Sequence, residues 1–396
     1  MNQDKILNRS FFATYLQGVI VMILVAMYFV HAPILLEMLE MSESKFAIGM
    51  VFFGISNVIT NQLSTRFLIP KIGTTNCLVI ARLMYSLLPF FIFYFSNYYF
   101  FLFISIIWGV AIGIQAPSLF TQVAIVESRT KKILNPIFKS SFAVGSLIGA
   151  GLASLFLGLE INPKKTFFIL GILVFLSSIT MFYWGLPRNY DIVNNSPKFT
   201  WPSKIILFYA SINMMVFASM GIIINWSSLW LINDIKSPIY LAGFIIIFFN
   251  IGEISSNMLA SRLIKTFNEK IVGPYFAMLG SIILFISILT MNIYFIFVAI
   301  IFFGFLTSNI IPIVYRVAIK ISSEPIPVTI SHVSSIAFSG LIFGPAIVGL
   351  SAEKFGLTFN MYALSVVFFC LSFVMAILMN KNIMVGVEGI EPTPPK

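Results

Sequence analysis

Acidic residues are almost absent from the apolar runs of this sequence, so Glu253 stands out in the stretch Gly243–Ile264, GFIIIFFNIGEISSNMLASRLI, with Asn250 and Asn257 on adjoining turns. It precedes Arg262 by nine residues, about 13 Å along a helix at roughly 1.5 Å per residue, which is close to mid-depth of a bilayer whose edge Arg262 marks. A carboxyl at that depth is costly unless it faces a cavity or a partner. One that alternates between sealed and open surroundings can take up a proton on one side and release it on the other. Glu253 is therefore a candidate proton carrier, and a structural hydrogen bond to a neighbouring helix is the competing role.

The remaining polar residues inside apolar runs are hydrogen-bonding rather than acid-base groups. Tyr15, Gln17, Gln115, Gln122, Asn213, Asn225 and Asn309 are candidate solute-binding residues, each equally suited to satisfying a nearby backbone carbonyl. Trp226 could stack on a sugar ring, although aromatic residues near the ends of membrane spans more often mark the interface. Enzyme chemistry finds no clustered acid-base set here. His31 and His332 fall near opposite faces, which disfavours a two-histidine metal site, and no cofactor or metal is expected. A glycine-rich phosphate loop ending in Lys-Ser/Thr is also missing, which argues against an ATP-driven pump within this chain.

The elements that must position these residues are membrane helices. The 396 residues are 59% hydrophobic and 10% charged, with 43 phenylalanines and a mean hydropathy of +0.99. Apolar runs of about 20 residues follow one another with short breaks, each able to cross a hydrocarbon core of roughly 30 Å as a helix. Twelve spans are predicted, at 11–32, 46–66, 77–95, 98–124, 138–159, 166–186, 205–231, 239–260, 273–291, 293–315, 329–351 and 358–379. Cys77 and Cys370 both lie in such runs, so no disulfide framework is indicated. The first run is too long for a signal core and has no small-residue cleavage site, so a cleavable signal is not expected.

The spans form a duplicated unit. Ala47–Leu68, AIGMVFFGISNVITNQLSTRFL, returns 196 residues later as Gly243–Ile264, with agreement at Phe52/Phe248, Phe53/Phe249, Ile55/Ile251, Asn61/Asn257, Leu63/Leu259 and Arg66/Arg262. A polar run recurring at half the chain length is what two copies of one membrane unit produce. This divides the chain into an N-terminal six-helix bundle (1–187), a cytoplasmic linker (188–204), a C-terminal six-helix bundle (205–380) and a proline-rich, disordered tail (381–396).

An even number of spans puts both termini on one side. Nineteen of the 24 Lys and Arg residues, Arg82 among them, fall on the side of the termini and 5 on the other. Short basic loops stay in the cytoplasm, so both termini are predicted cytoplasmic, in an inner (cell) membrane. Orientation thus accounts for the net charge of +10, and nucleic-acid binding does not follow from it. Arg66 and Arg262, at matching inner span ends, are candidate gating residues. Gly340, Gly344 and Pro345 join them as a small-residue helix face with a built-in weak point, and Gly145 and Gly149 make a similar face in the fifth span.

Several stretches carry a family resemblance: Gln122-Val123-Ala124-Ile125-Val126-Glu127, Ala143 through Gly151, Asn225-Trp226-Ser227-Ser228-Leu229, and Phe343-Gly344-Pro345-Ala346-Ile347-Val348-Gly349 with Ala352-Glu353. Together they resemble the major facilitator superfamily, in particular its sugar-permease-like branch with fucose-permease-like and rhizopine-transport-like members. The resemblance implies an all-α integral membrane fold of twelve transmembrane helices in two pseudo-symmetric six-helix bundles rocking around a central site. First, fourth, seventh and tenth helices surround that site in the resembled fold. Departures stand beside it: Thr65 occupies the family's usual acidic place after the second helix, and Thr74-Thr75 the place of a basic pair.

The expected protein is a secondary transporter of a small, sugar-like solute, monomeric in membrane lipid, with protons coupled through Glu253. A non-transporting sensor or scaffold derived from a transporter is the alternative, as is a drug or metabolite efflux carrier. The charge distribution makes a direct prediction: cysteine placed at Ser196 labels only from the cytoplasmic side and cysteine at Ser42 only from outside. The reverse labelling pattern would refute the orientation.

Overall fold

The computed structural model describes residues 3–94, 97–131, 134–190, 201–322 and 326–386. Most of the expected linker (191–200) and the end of the expected tail (387–396) lie outside the described residues. Among the described residues every regular element is helical. Lipid cannot satisfy free backbone groups, and a helix satisfies them within itself.

The first half runs α1 (Gln3–Val30), a short α2 (Ala32–Met38), α3 (Glu43–Leu63), a π turn (Ser64–Leu68) into α4 (Ile69–Ile72), α5 (Thr74–Ile92), α6 (Tyr98–Thr130), α7 (Asn135–Gly158) and α8 (Pro163–Trp184). The second half holds α9 (Lys204–Asn233), α10 (Phe244–Phe267), a π turn (Ile271–Tyr275) into α11 (Phe276–Thr290), α12 (Ile293–Thr307), α13 (Ile310–Ile321) and α14 (Ile326–Gly386). Among the described residues, eleven helical stretches are long and apolar enough to cross a membrane. The last of them, Ile336–Asn380, has 45 residues and is broken at Gly356, whose φ of 81° and ψ of 161° are open to glycine and strained for other residues. Its two arms bring the crossings to the expected twelve.

Helix starts are capped where the chain re-enters the apolar layer. Ser42, Asn97 and Asn162 accept from the amides of Lys45, Tyr99 and Lys164 at 3.4, 2.8 and 2.9 Å, and Asn292 does the same for Tyr294 at 2.9 Å. Each cap is worth about 1 kcal/mol and fixes where a span begins. After α8, Arg188 donates to the carbonyls of Pro70 and Lys71, both at 2.9 Å, which ties the chain to α4.

Helix packing repeats with the sequence. A side chain at Gly145 would strike the Val19 carbonyl, and one at Gly340 would strike the Met214 carbonyl. A side chain at Gly109 would strike the carbonyl of Phe53, and one at Gly304 that of Phe249. Corresponding residues in these two pairs of contacts are 195 or 196 positions apart. The duplication is therefore conserved as backbone-to-backbone crossings, α1 with α7 echoed by α9 with α14, and α3 with α6 echoed by α10 with α12.

The chain clusters into two compact units. One comprises Met1–Phe199, Gly221–Ile247 and Ile342–Leu357, and the other Thr200–Met220, Phe248–Leu341 and Thr358–Lys396. The first unit thus takes in the C-terminal part of α9, the start of α10 and the stretch of α14 before Gly356. The helix of the second unit continues through Gly386, beyond residue 380 where the bundle was expected to end.

These crossings predict a contrast. Gly145→Ala forces α1 and α7 apart and should destabilise the detergent-solubilised protein by about 1–3 kcal/mol, the usual range for overpacking. Gly151→Ala, whose new methyl meets nothing within 4 Å, should be neutral or slightly stabilising. Equal melting temperatures for the two variants would refute the role assigned to the Gly145 crossing.

Candidate functional site

In the first unit, the buried polar groups of α1 and α6 divide into satisfied and unsatisfied sets. Gln122 of α6 is fully buried: its Oε1 accepts from Thr14 Oγ1 at 2.6 Å, and its Nε2 donates to Thr74 and Thr75 Oγ1 at 3.3 and 3.0 Å. Thr75 in turn donates to the Leu186 carbonyl at 2.7 Å. Gln17 turns away from α6 and donates to the Ser177 carbonyl of α8 at 2.9 Å. Tyr15 is half-buried with its hydroxyl 3.4 Å from Ser140 Oγ of α7. The hydrogen-bonding capacity of Gln122 is thereby spent on holding α1, α5 and α6 together.

Gln115 behaves differently. It is 2% exposed, and neither its Oε1 nor its Nε2 has a hydrogen-bond partner. Asn213 of α9, in the second unit, is in the same condition, fully buried with both amide atoms unpartnered. Leaving a buried polar group unsatisfied costs about 1–3 kcal/mol, so such groups are where a polar ligand returns the most binding energy. Asn225 is buried and makes no hydrogen bond among the described residues, while Asn309 is held through its Nδ2 by Ser256 Oγ at 2.8 Å.

Arg82, expected at the face of the termini, is found inside α5, eight residues from its start, or about 12 Å along the helix. It is 1% exposed. One nitrogen donates to the Gln17 carbonyl at 3.0 Å, the guanidinium lies 5.7 Å from the Tyr85 ring centroid, and Nε and Nη1 are unpartnered. The predicted span 77–95 already contained position 82. The face of the termini keeps its large basic excess without it. A buried aromatic group adjoins this region, with Trp108 of α6 4.7 Å from Tyr28, 5.6 Å from Phe53 and 6.1 Å from Tyr85 between ring centroids.

At the end of the first unit away from the N-terminus, five helices close on one another. Trp226 is fully buried, donates Nε1 to the Pro345 carbonyl at 2.8 Å and meets the Phe46 ring edge-on at 5.6 Å. Gly349 permits this, since a side chain there would strike Ala47 and the Trp226 ring. Polar contacts rim the closure: Ser42 to Glu353 at 3.4 Å, Ser44 to the Gly349 carbonyl at 3.5 Å, Asn233 to Glu43 at 3.4 Å, and the Gly243 amide to Ser154 Oγ at 3.0 Å. Outside it lies a groove lined by Glu37, Glu40, Glu43 and Asn233.

Glu253 is half-buried on the stripe of α10 that carries Phe249, Asn250 and Ser256, which are all buried. Gly340 is buried against α9, Gly344 is half-buried, and Pro345 interrupts α14 beside Trp226. Arg66, in the π turn after α3, and Arg262, near the end of α10, are both exposed and in no ion pair among the described residues. No group of three metal-ligating side chains is found among the described residues.

No family model matches the chain. It is similar to a major-facilitator-type transporter of Yersinia pestis, with 25% identity over 280 residues that span 67% of each chain. Among solved structures it is similar to a bacterial homologue of the human lysosomal transporter Spinster, in an inward-facing and unoccupied conformation. The TM-score is 0.74 at 13% identity, covering 99% of this chain and 100% of that one. It is also similar to the nucleoside transporter NupG, with a TM-score of 0.70 at 14% identity, covering 96% of this chain and 98% of that one. Likeness over the full length shows the architecture: this chain has the major facilitator fold.

Proposed function

We propose that the protein is a secondary transporter that moves a small polar solute across the cytoplasmic membrane by alternating access, with both termini in the cytoplasm. The observation that carries this reading is the major facilitator fold along the whole chain, built from two copies of the same glycine crossings. Kinship with a major-facilitator-type transporter supports it. The bodies that move are the two six-helix halves, 1–187 and 205–380.

The closure around Trp226 and Gly349 is the outer gate. A transporter of this kind must seal one end while the other admits solute, and the interlocking of Phe46, Ala47, Trp226 and Gly349 supplies such a seal. Gln115 and Asn213 are the best-placed hydrogen-bonding groups for the solute, because each is buried without a partner. A sugar-like solute fits amide ligands, and Trp226 becomes available for stacking once the outer gate opens. Solute movement is coupled to protons at Glu253. Uptake of radiolabelled sugars, nucleosides, amino acids and drugs by reconstituted vesicles tests the transporter reading, and absence of uptake or exchange across the panel would favour a sensor or scaffold.

Two mutational outcomes follow. Glu253→Gln keeps shape and hydrogen bonding but cannot titrate, so solute exchange should persist while uptake driven by a pH gradient falls to background. Full retention of gradient-driven uptake would remove Glu253 from coupling. Gly349→Leu cannot close against Ala47 and Trp226, so a cysteine at Ser44 should become at least several-fold more accessible to external reagent and net transport should be lost. Unchanged accessibility at Ser44 would show that Gly349 is not part of the gate.

A further inference from the structure

The tenth crossing is interrupted. α12 ends at Thr307 and α13 begins at Ile310, with Ser308 and Asn309 forming the turn between them. Pro312 stands four residues after Ser308 and has no N–H, so the Ser308 carbonyl lacks its helical donor. Two side-chain oxygens at the break are also without partners: Ser308 Oγ and Asn309 Oδ1, on residues 7% and 1% exposed. Backbone opened at membrane depth is tolerated where something else satisfies the freed groups.

The break lies against the part of α10 that carries Glu253. Asn309 is oriented by its Nδ2, which donates to Ser256 Oγ of α10 at 2.8 Å, and Glu253 lies three residues before Ser256 on the same helix face. The two helices approach backbone to backbone at this level. A side chain at Gly252 would strike the Ile301 carbonyl, and one at Gly304 would come within 3.3 Å of the Glu253 amide. Glu253 itself makes no hydrogen bond or ion pair among the described residues. Arg316 and Lys320 of α13 are engaged elsewhere, with Glu269 at 3.0 and 4.0 Å. Two unpartnered neutral oxygens thus stand at the interrupted helix, one turn of α10 from the residue that carries a carboxylate.

We propose that this break is a sodium site, ligated by the Glu253 carboxylate, Asn309 Oδ1, Ser308 Oγ and the Ser308 carbonyl freed by Pro312. Hard oxygen donors without imidazole or thiolate suit an alkali or alkaline-earth ion rather than zinc or copper. One carboxylate matches a single positive charge, whereas a divalent ion would leave net charge in a low-dielectric surrounding, where charge is expensive. Carbonyls of an interrupted membrane helix are well suited to such an ion, since their dipoles converge where the hydrogen bonds are missing. The inference rests on the reading of Glu253 as the ion-handling residue of a transporter, and it adds a second occupant to the carboxylate that serves protons.

The test uses the purified full-length protein in detergent with no solute present. Thermal unfolding is followed across a sodium chloride titration, with potassium chloride and choline chloride at matched ionic strength. Sodium should raise the melting temperature saturably while potassium and choline do not. Glu253→Gln should abolish the sodium response, Asn309→Ala should weaken apparent affinity at least tenfold, and Glu269→Gln should leave it intact. Identical melting curves in sodium and choline, an equal response to potassium, or an undiminished sodium response in Glu253→Gln would each overturn the site. If Glu253→Gln does not fold, Asn309→Ala and Ser308→Ala decide, and wild-type sodium affinity in both overturns it. Because no solute is used, a negative result leaves the transporter reading standing, and a failure to find a transported solute leaves the sodium result standing.

Discussion

Carbonyl oxygens pressed against glycines hold the helices of each half together. Val19, Phe53, Met214 and Phe249 present main-chain oxygens to Gly145, Gly109, Gly340 and Gly304, and any larger residue at those glycines would push two helices apart. In lipid the hydrophobic effect gives helices no reason to prefer one another to acyl chains, so association depends on close van der Waals packing and polar contacts. Close approach sets the register of each helix pair, and register decides which polar side chains meet. The Gln122–Thr14 bond and the Asn309–Ser256 bond both follow from crossings of this kind.

The duplication has kept those crossings and let the chemistry diverge. Glu253 corresponds to Asn57 at the 196-residue offset, and Arg82 corresponds to Met278. A buried guanidinium in one half and a half-buried carboxylate in the other are the most expensive residues this chain places at membrane depth. Packing alone needs neither, since the matching position in each case does without the charge. In the first unit the amides of Gln17 and Gln122 are satisfied by neighbouring helices, while Gln115 there, and Asn213 in the second unit, leave both amide atoms unpartnered.

The closure around Trp226 is built by the same packing rule. Gly349 is small where two aromatic residues and Ala47 converge, so the seal is a flush contact with few polar bonds to break. Three of its rim bonds, Ser42 to Glu353, Ser44 to the Gly349 carbonyl and Asn233 to Glu43, are long at 3.4 to 3.5 Å, while the Gly243 amide meets Ser154 Oγ at an ordinary 3.0 Å. The adjacent Pro345 has no N–H to donate, which leaves α14 without one hydrogen bond beside this closure.

Membrane helices are legible in a sequence because lipid acts on each residue locally: an apolar run must be helical, and a run long enough must cross. That constraint alone determined the twelve crossings and the all-helical fold, and it singled out Glu253 as a carboxyl in an apolar stretch; the half-length repeat was legible in the same way, from recurring residue types. The fate of each buried polar group was not, because its partner stands on another helix. Thr14 lies 108 residues from Gln122 and Trp226 lies 119 from Pro345, so nothing local distinguished Gln122, consumed by packing, from Gln115, left unpartnered. Arg82 read as an interfacial charge until α5 placed it beneath the Gln17 carbonyl. Sequence settled what each helix must exclude from lipid, and only the tertiary packing decided which of its polar groups are satisfied, because hydrogen bonding requires contact while hydropathy requires only composition.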